Sequence, residues 1–278
     1  MTTERDAIEK VRTTFAMLDE HRARWGDVTQ SVPEPGSALD LDDRTWPSLP
    51  LSQMGWQGMV CAWDHFDLAR FTIDHERGFP TAVYSVLRGA LLASSQALWA
   101  LGPDDSATRV ERGLILAQEW YRRRIQWQES LTTTARQGAL YVATDVMAPE
   151  DVGRSVLQLK ELEKDLASVE ELRSTREQME ATRCVKIAAE FAAVRTGASA
   201  LTSSAPREWQ RLGGDAHGLG WPLMMQTTTW GERGADGLTA ATVTVDLVTL
   251  ANSYLCAWLV YTAAVGRFNE IRAGATTG

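Results

Sequence analysis

The segment Trp209-Gln210-Arg211-Leu212-Gly213-Gly214-Asp215-Ala216-His217-Gly218 is the most specific cluster of chemistry-bearing side chains in the sequence. An arginine offers a fixed cation with paired N–H donors, and a histidine titrates near neutrality. Arg211 and His217 are the pair singled out here as candidate catalytic residues, and the glycines between and after them let a ligand approach the backbone. Trp209 and Trp221 bracket the pair as candidate substrate-binding platforms. Arg88 joins them, because an arginine at a mostly apolar helical position is costly unless paired. Its partner is expected to be a carboxylate such as Glu190, or else Arg88 lines the same cleft as His217.

Other chemistry finds little footing. There is no GxGxxG, GxxxxGK[ST], HExxH or GxSxG pattern. The remaining histidines are His21, His65 and His75. His65 and His75 share a predicted helix with Asp64, Asp67, Asp74 and Glu76, but residues ten apart lie nearly three turns apart and cannot chelate one ion. Asp67, Arg70 and Asp74 read instead as an ion-pair ladder on that helix. Arg70 and His75 repeat an Arg–His spacing inside an uninterrupted helical pattern, which turns them about 140° apart. No metal and no cofactor is expected.

The elements that position these residues read as an all-α helical bundle with long antiparallel helices and no substantial sheet. Residues 1–50 are expected to form an N-terminal helix and linker arm, and residues 51–278 the bundle domain. In the arm, Ile8, Val11, Phe15, Leu18 and Trp25 recur at helical spacing, and the Pro-, Gly-, Ser- and Asp-rich stretch 26–50 reads as an extended linker. Helices are predicted over about 52–75 and 81–101, the latter stopped by Gly102-Pro103, and from Asp104 to about Val146 with a weak point at Gly138. Pro149 opens the next helix. Within 151–182, Leu159, Leu162, Leu166 and Val169 form a short seam that packs on a neighbour. The helix continues or restarts over 184–196 and ends at Gly197. A short capped helix runs through Trp209 and Leu212 to the glycine-rich break. Residues 226–238 read as loop and about 239–272 as the last helix, whose β-branched start, Thr239–Val245, fits a helix least well.

The 278 residues, 44% apolar and 23% charged, can bury a substantial core. Three dispersed cysteines, Cys61, Cys184 and Cys256, without a CxxC, speak for a reducing compartment over a disulfide or zinc framework. The charged N-terminus lacks an apolar signal core, so a cytoplasmic location is expected. A net charge of −8 argues against a general nucleic-acid surface, and Arg122, Arg123 and Arg124 read as a solvated helix face. Most of the eleven tryptophans should be core or interface anchors. The last helix is apolar, yet Asp246, Asn252 and Ser253 favour a central bundle helix over a membrane span.

On Arg211 and His217, near a late helix of an all-α chain, the sequence resembles the HEPN superfamily of bacterial and phage-defence ribonucleases, with their R-x(4–6)-H motif. The wider W-x-x-L-G-G-x-A-H-G phrase followed by Trp221 also resembles uncharacterised helical actinobacterial proteins. The resemblance covers about a third of the chain. It implies a metal-independent endoribonuclease, of a toxin or abortive-infection type, acting as a homodimer on RNA, with a protein partner such as an antitoxin. Arg211 would hold the scissile phosphate and His217 would transfer the proton. Leu212 stands where such proteins carry a polar residue after the arginine. The alternative is a non-catalytic helical partner-binding or scaffold protein, with His217 pinning the 212–222 loop against Trp209 or Trp221.

Overall fold

A computed structural model describes residues 3–75, 79–136, 149–219, 221–224, 227–234 and 239–274. Among these residues the chain is an all-α bundle carrying a single small antiparallel hairpin. The helices are α1 (Glu4–Arg12), α2 (Phe15–Trp25), α3 (Ala38–Asp43), α4 (Leu51–Asp74), α5 (Ala82–Leu101), α6 (Ser106–Arg136), α7 (Pro149–Leu172), α8 (Ala181–Thr196), α9 (Leu201–Ala216), α10 (Trp221–Met224) and α11 (Leu247–Arg272). A 3-10 turn covers Val28–Ser31, and strands β1 (Thr227–Arg233) and β2 (Thr239–Thr244) pair through Thr227–Thr244 and Thr229–Thr242.

The centre is α5 packed between α4 and α11, with α8 and α9 closing one side. Its apolar face buries Val83, Leu87, Ala90, Leu91, Leu98 and Leu101 completely or nearly so. The most apolar window of α11 is long enough to cross a membrane, but two-thirds of it is buried within the bundle, including Tyr254, Trp258, Tyr261 and Phe268. Aromatic rings from α4 and α11, chiefly Phe66, Tyr254, Trp258 and Tyr261, meet edge to face or tilted across this contact. The tryptophans divide as the sequence suggests: Trp25, Trp56, Trp99, Trp209 and Trp258 are buried, while Trp127 and Trp221 are exposed.

Several boundaries differ from expectation, each for an identifiable physical reason. The N-terminal helix breaks at Thr13-Thr14, whose hydroxyls donate to the carbonyls of Lys10 and Val11 and compete with helical N–H groups. Residues 26–50 are not extended throughout. Ser37 caps α3 by accepting from the Asp40 N–H, and α3 delivers Asp42 into the core, 2.6 Å from the Arg109 guanidinium on α6. Leu39 and Trp25 join the same core as the bundle. α6 starts at Ser106, and its predicted continuation past Arg136 through Gly138 to Val146 lies outside the described residues. The seam helix α7 buries Leu162 and Val169 against α6 but ends at Leu172. There Glu111 accepts from the N–H and hydroxyl groups of both Ser174 and Thr175 and draws the chain out of the helix. The last helix begins at Leu247, eight residues later than expected. The β-branched run before it is β2, and the threonine-rich stretch read as loop is its partner β1, as the strand preference of Thr and Val favours. Asp246 then caps α11, accepting from the Val248 and Thr249 N–H groups.

Candidate functional site

The expected glycine-rich break is in fact helix. α9 runs unbroken through Arg211, Gly213 and Gly214 to Ala216, with His217 as its C-cap. The helix closes in a Schellman motif: the Gly218 N–H donates to the Asp215 carbonyl and the Leu219 N–H to the Gly214 carbonyl. Gly218 takes a φ of 66°, the left-handed conformation that this closure requires. The chain then turns back, and Trp221 and Pro222 of α10 press on Gly214. A Cβ at that position would lie 2.6 Å from Pro222 Cγ and 2.8 Å from the Trp221 ring.

Arg211 is enclosed by its own chain. Its guanidinium donates to Glu208 Oε2 at 2.8 and 3.2 Å and to the Ser253 hydroxyl of α11. One face lies 4.5 Å from the centroid of the Tyr84 ring on α5, and Nη1 is 3.7 Å from Asp215. Ser253 also donates to Glu208, which closes the network. The Arg211 side chain is 14% exposed and that of Asp215 only 1%. Among the described residues neither Asp215 oxygen nor the buried Tyr84 hydroxyl has a hydrogen-bond partner. Burial pushes the Asp215 carboxyl up to about 6, with Glu208 adding to the rise and Arg211 opposing it. Burial likewise raises the Tyr84 phenol to about 12 despite the nearby Arg211 cation.

His217 is exposed. Six positions beyond Arg211, it is separated from that residue by about 120° around the helix axis. An open groove of about 590 Å³ runs between α9 and α11. It is lined by Leu201, Ser204, Glu208, Arg211, Trp221 and Leu255 among others, and His217 is not one of its lining residues. Arg211 and Trp221 thus share the groove, whereas His217 lies beyond its edge.

The other two predicted binding residues meet between α5 and α9, Arg88 from α5 and Trp209 from α9. Trp209 is buried and donates its indole N–H to the Thr182 hydroxyl at 3.1 Å. Among the described residues Arg88 does not pair with Glu190 or any other carboxylate. Its guanidinium carbon lies over the Trp209 ring, 4.0 Å from the centroid. The ion-pair ladder expected on α4 forms in part: Arg70 contacts Asp74 at 3.4 Å and Asp19 at 2.5 Å, while Asp67 pairs with Arg22 of α2 instead, and Arg122 and Arg123 pair with Glu170 and Glu119 on a helix face. Among the described residues no group of three or more His, Cys, Asp or Glu side chains could hold a metal ion.

Three members of the network were not singled out in the sequence. Asp215 had a signal, standing four residues after Arg211 on one helix face. Tyr84 had one too, one turn before Arg88 on α5. Glu208 had only its place three residues before Arg211. Comparison of the chain with protein-family models, curated proteins and solved structures finds no match.

Proposed function

We propose that this chain is a non-catalytic helical binding protein that presents the α9–α11 groove to a partner. The observation that carries this reading is the internal pairing of Arg211. A phosphate-holding arginine must offer its paired N–H donors to the substrate, whereas Arg211 spends its Nε and Nη2 donors on Glu208 and Ser253 and holds Nη1 3.7 Å from Asp215. A buried guanidinium held by carboxylates is a structural cation whose role is to keep Asp215 and Glu208 compensated. The groove itself, an apolar floor of Leu201, Leu255 and Leu259 with a polar rim, has the make-up of a recognition surface.

A HEPN-like, metal-independent endoribonuclease of toxin or abortive-infection type is the second reading, and the exposure of His217 beside the end of α9 favours it. In that reading two copies would bring their His217 side chains together across a homodimer cleft. Controlled expression in a bacterial host separates the two. The binding reading expects equal growth with the wild-type chain and with His217→Ala, whereas growth arrest that His217→Ala relieves overturns it.

A further inference from the structure

The seam between α5 and α9 holds a cation with no counter-charge. Arg88 makes no hydrogen bond or ion pair among the described residues, and its Nε is buried without an acceptor. Trp209 covers one face of the guanidinium, and the Trp209 ring is fixed from behind by Thr182. Stacking satisfies the face of a guanidinium but leaves its in-plane N–H donors unused. The terminal nitrogens of Arg88 remain open to solvent, since Nε is the only one of the three that is both buried and unpartnered. Gly213 of α9 lies beside Nε, where an added Cβ would meet it at 3.6 Å, an ordinary contact. Burial lowers the Arg88 pKa with no neighbouring charge acting on it in either direction. A partly buried arginine that pairs with nothing in its own fold is costly to keep, because its desolvation is not offset.

We propose that Arg88, stacked on Trp209 at the α5–α9 seam, is the docking point for a carboxylate supplied from outside the chain. A single isolated guanidinium with a pre-set plane matches a singly charged anion that presents two coplanar oxygens, bound end-on to the two terminal nitrogens. A nucleic-acid backbone would call for several cations in a row. Of the other two arginines of this helix pair, Arg211 is held by Glu208 and Arg207 donates back to the Ser203 carbonyl of its own helix, and the chain carries a net charge of −8. The carboxylate can be a free small acid or an acidic side chain of a partner protein. The site stands apart from the α9–α11 groove, so its assignment holds whichever reading of Arg211 is correct.

The test is a titration of the ¹⁵N-labelled full chain with sodium acetate against sodium chloride at equal ionic strength, following arginine Nε–H resonances. The Arg88 resonance is identified by its loss in Arg88→Lys. It should shift saturably with acetate and not with chloride, while the Arg211 resonance stays in place. Thermal denaturation in the same buffers should show an acetate-specific rise in Tm for the wild type that disappears in both Arg88→Gln and Arg88→Lys. A partner carrying the carboxylate on its surface is distinguished from a free acid by the same resonance, which then responds to an Asp/Glu-containing peptide at least tenfold below the acetate concentration needed. An unchanged Arg88 resonance at saturating acetate overturns the proposal. So does tenfold tighter binding of dimethyl phosphate than of acetate, which would make the site one for a phosphodiester.

Discussion

Replacing Arg211 by alanine removes the cation shared by Glu208, Asp215, Ser253 and Tyr84. The Asp215 side chain is 1% exposed and that of Glu208 19%, so neither carboxylate can recover much hydration. Breaking a buried ion pair by deleting one partner costs about 3–5 kcal/mol. A chain of this size unfolds with an entropy of about 0.6 kcal/mol/K, so Arg211→Ala should lower Tm by about 5–9 °C. Glu208→Gln alone should cost less, because Arg211 retains Ser253 and Asp215. In the double variant Arg211→Ala/Glu208→Gln the losses should be less than additive by about 1–3 kcal/mol, the signature of two groups in one network. Arg211→Lys keeps the charge but not the fork and should fall between wild type and alanine. Differential scanning calorimetry reads all four. An Arg211→Ala protein melting within 1 °C of wild type would refute the reasoning, since it would mean the guanidinium is not needed by the fold and is free for a ligand.

The adjacent glycines should respond in opposite directions. Gly213→Ala fits its surroundings and should stabilise α9 by about 0.5–1 kcal/mol through helix propensity. Gly214→Ala drives a methyl group into Pro222 and Trp221 and should cost about 1–3 kcal/mol, with a red shift in fluorescence as Trp221 is displaced. Asp215→Asn should change the pH dependence of stability. The folded carboxyl holds its proton up to about 6, above the ordinary value of 3.8, so the stability Asp215 contributes is fully present below pH 4 and is lost as pH rises through 6. The variant lacks that decline, and its Tm relative to wild type should rise between pH 4 and pH 7; parallel curves would contradict the burial argument. Asp42→Ala strands the Arg109 cation, which is 3% exposed, and should cost about 3–5 kcal/mol in urea denaturation.

The helical core was readable because its periodicity is strong. The 81–101 pattern became α5 within one residue, Pro149 opens α7, and Gly197 ends α8 at a φ of 72°. Boundaries were missed where side chains intervene from elsewhere in the chain. Glu111 ends the α7 region through two residues more than sixty positions away, and no local pattern announces that contact. The hairpin escaped because its strands are short and rich in threonine, so apolar and polar residues do not alternate along them. At the site, Arg211, Trp209 and Arg88 were singled out as candidate catalytic and binding residues, but the role of each depends on tertiary partners. Paired glycines resemble a loop until Trp221 and Pro222 are seen resting on Gly214. Arg88 was expected to find a carboxylate, and what it found was an indole.

The most direct test of the central claim, that Arg211 serves the fold and not a scissile phosphate, is a cleavage time course on single-stranded and structured RNA. Purified wild-type chain should leave the RNA intact in chelator-containing buffer, indistinguishable from His217→Ala and from buffer alone. Fragments that accumulate with the wild type and vanish with His217→Ala would contradict it.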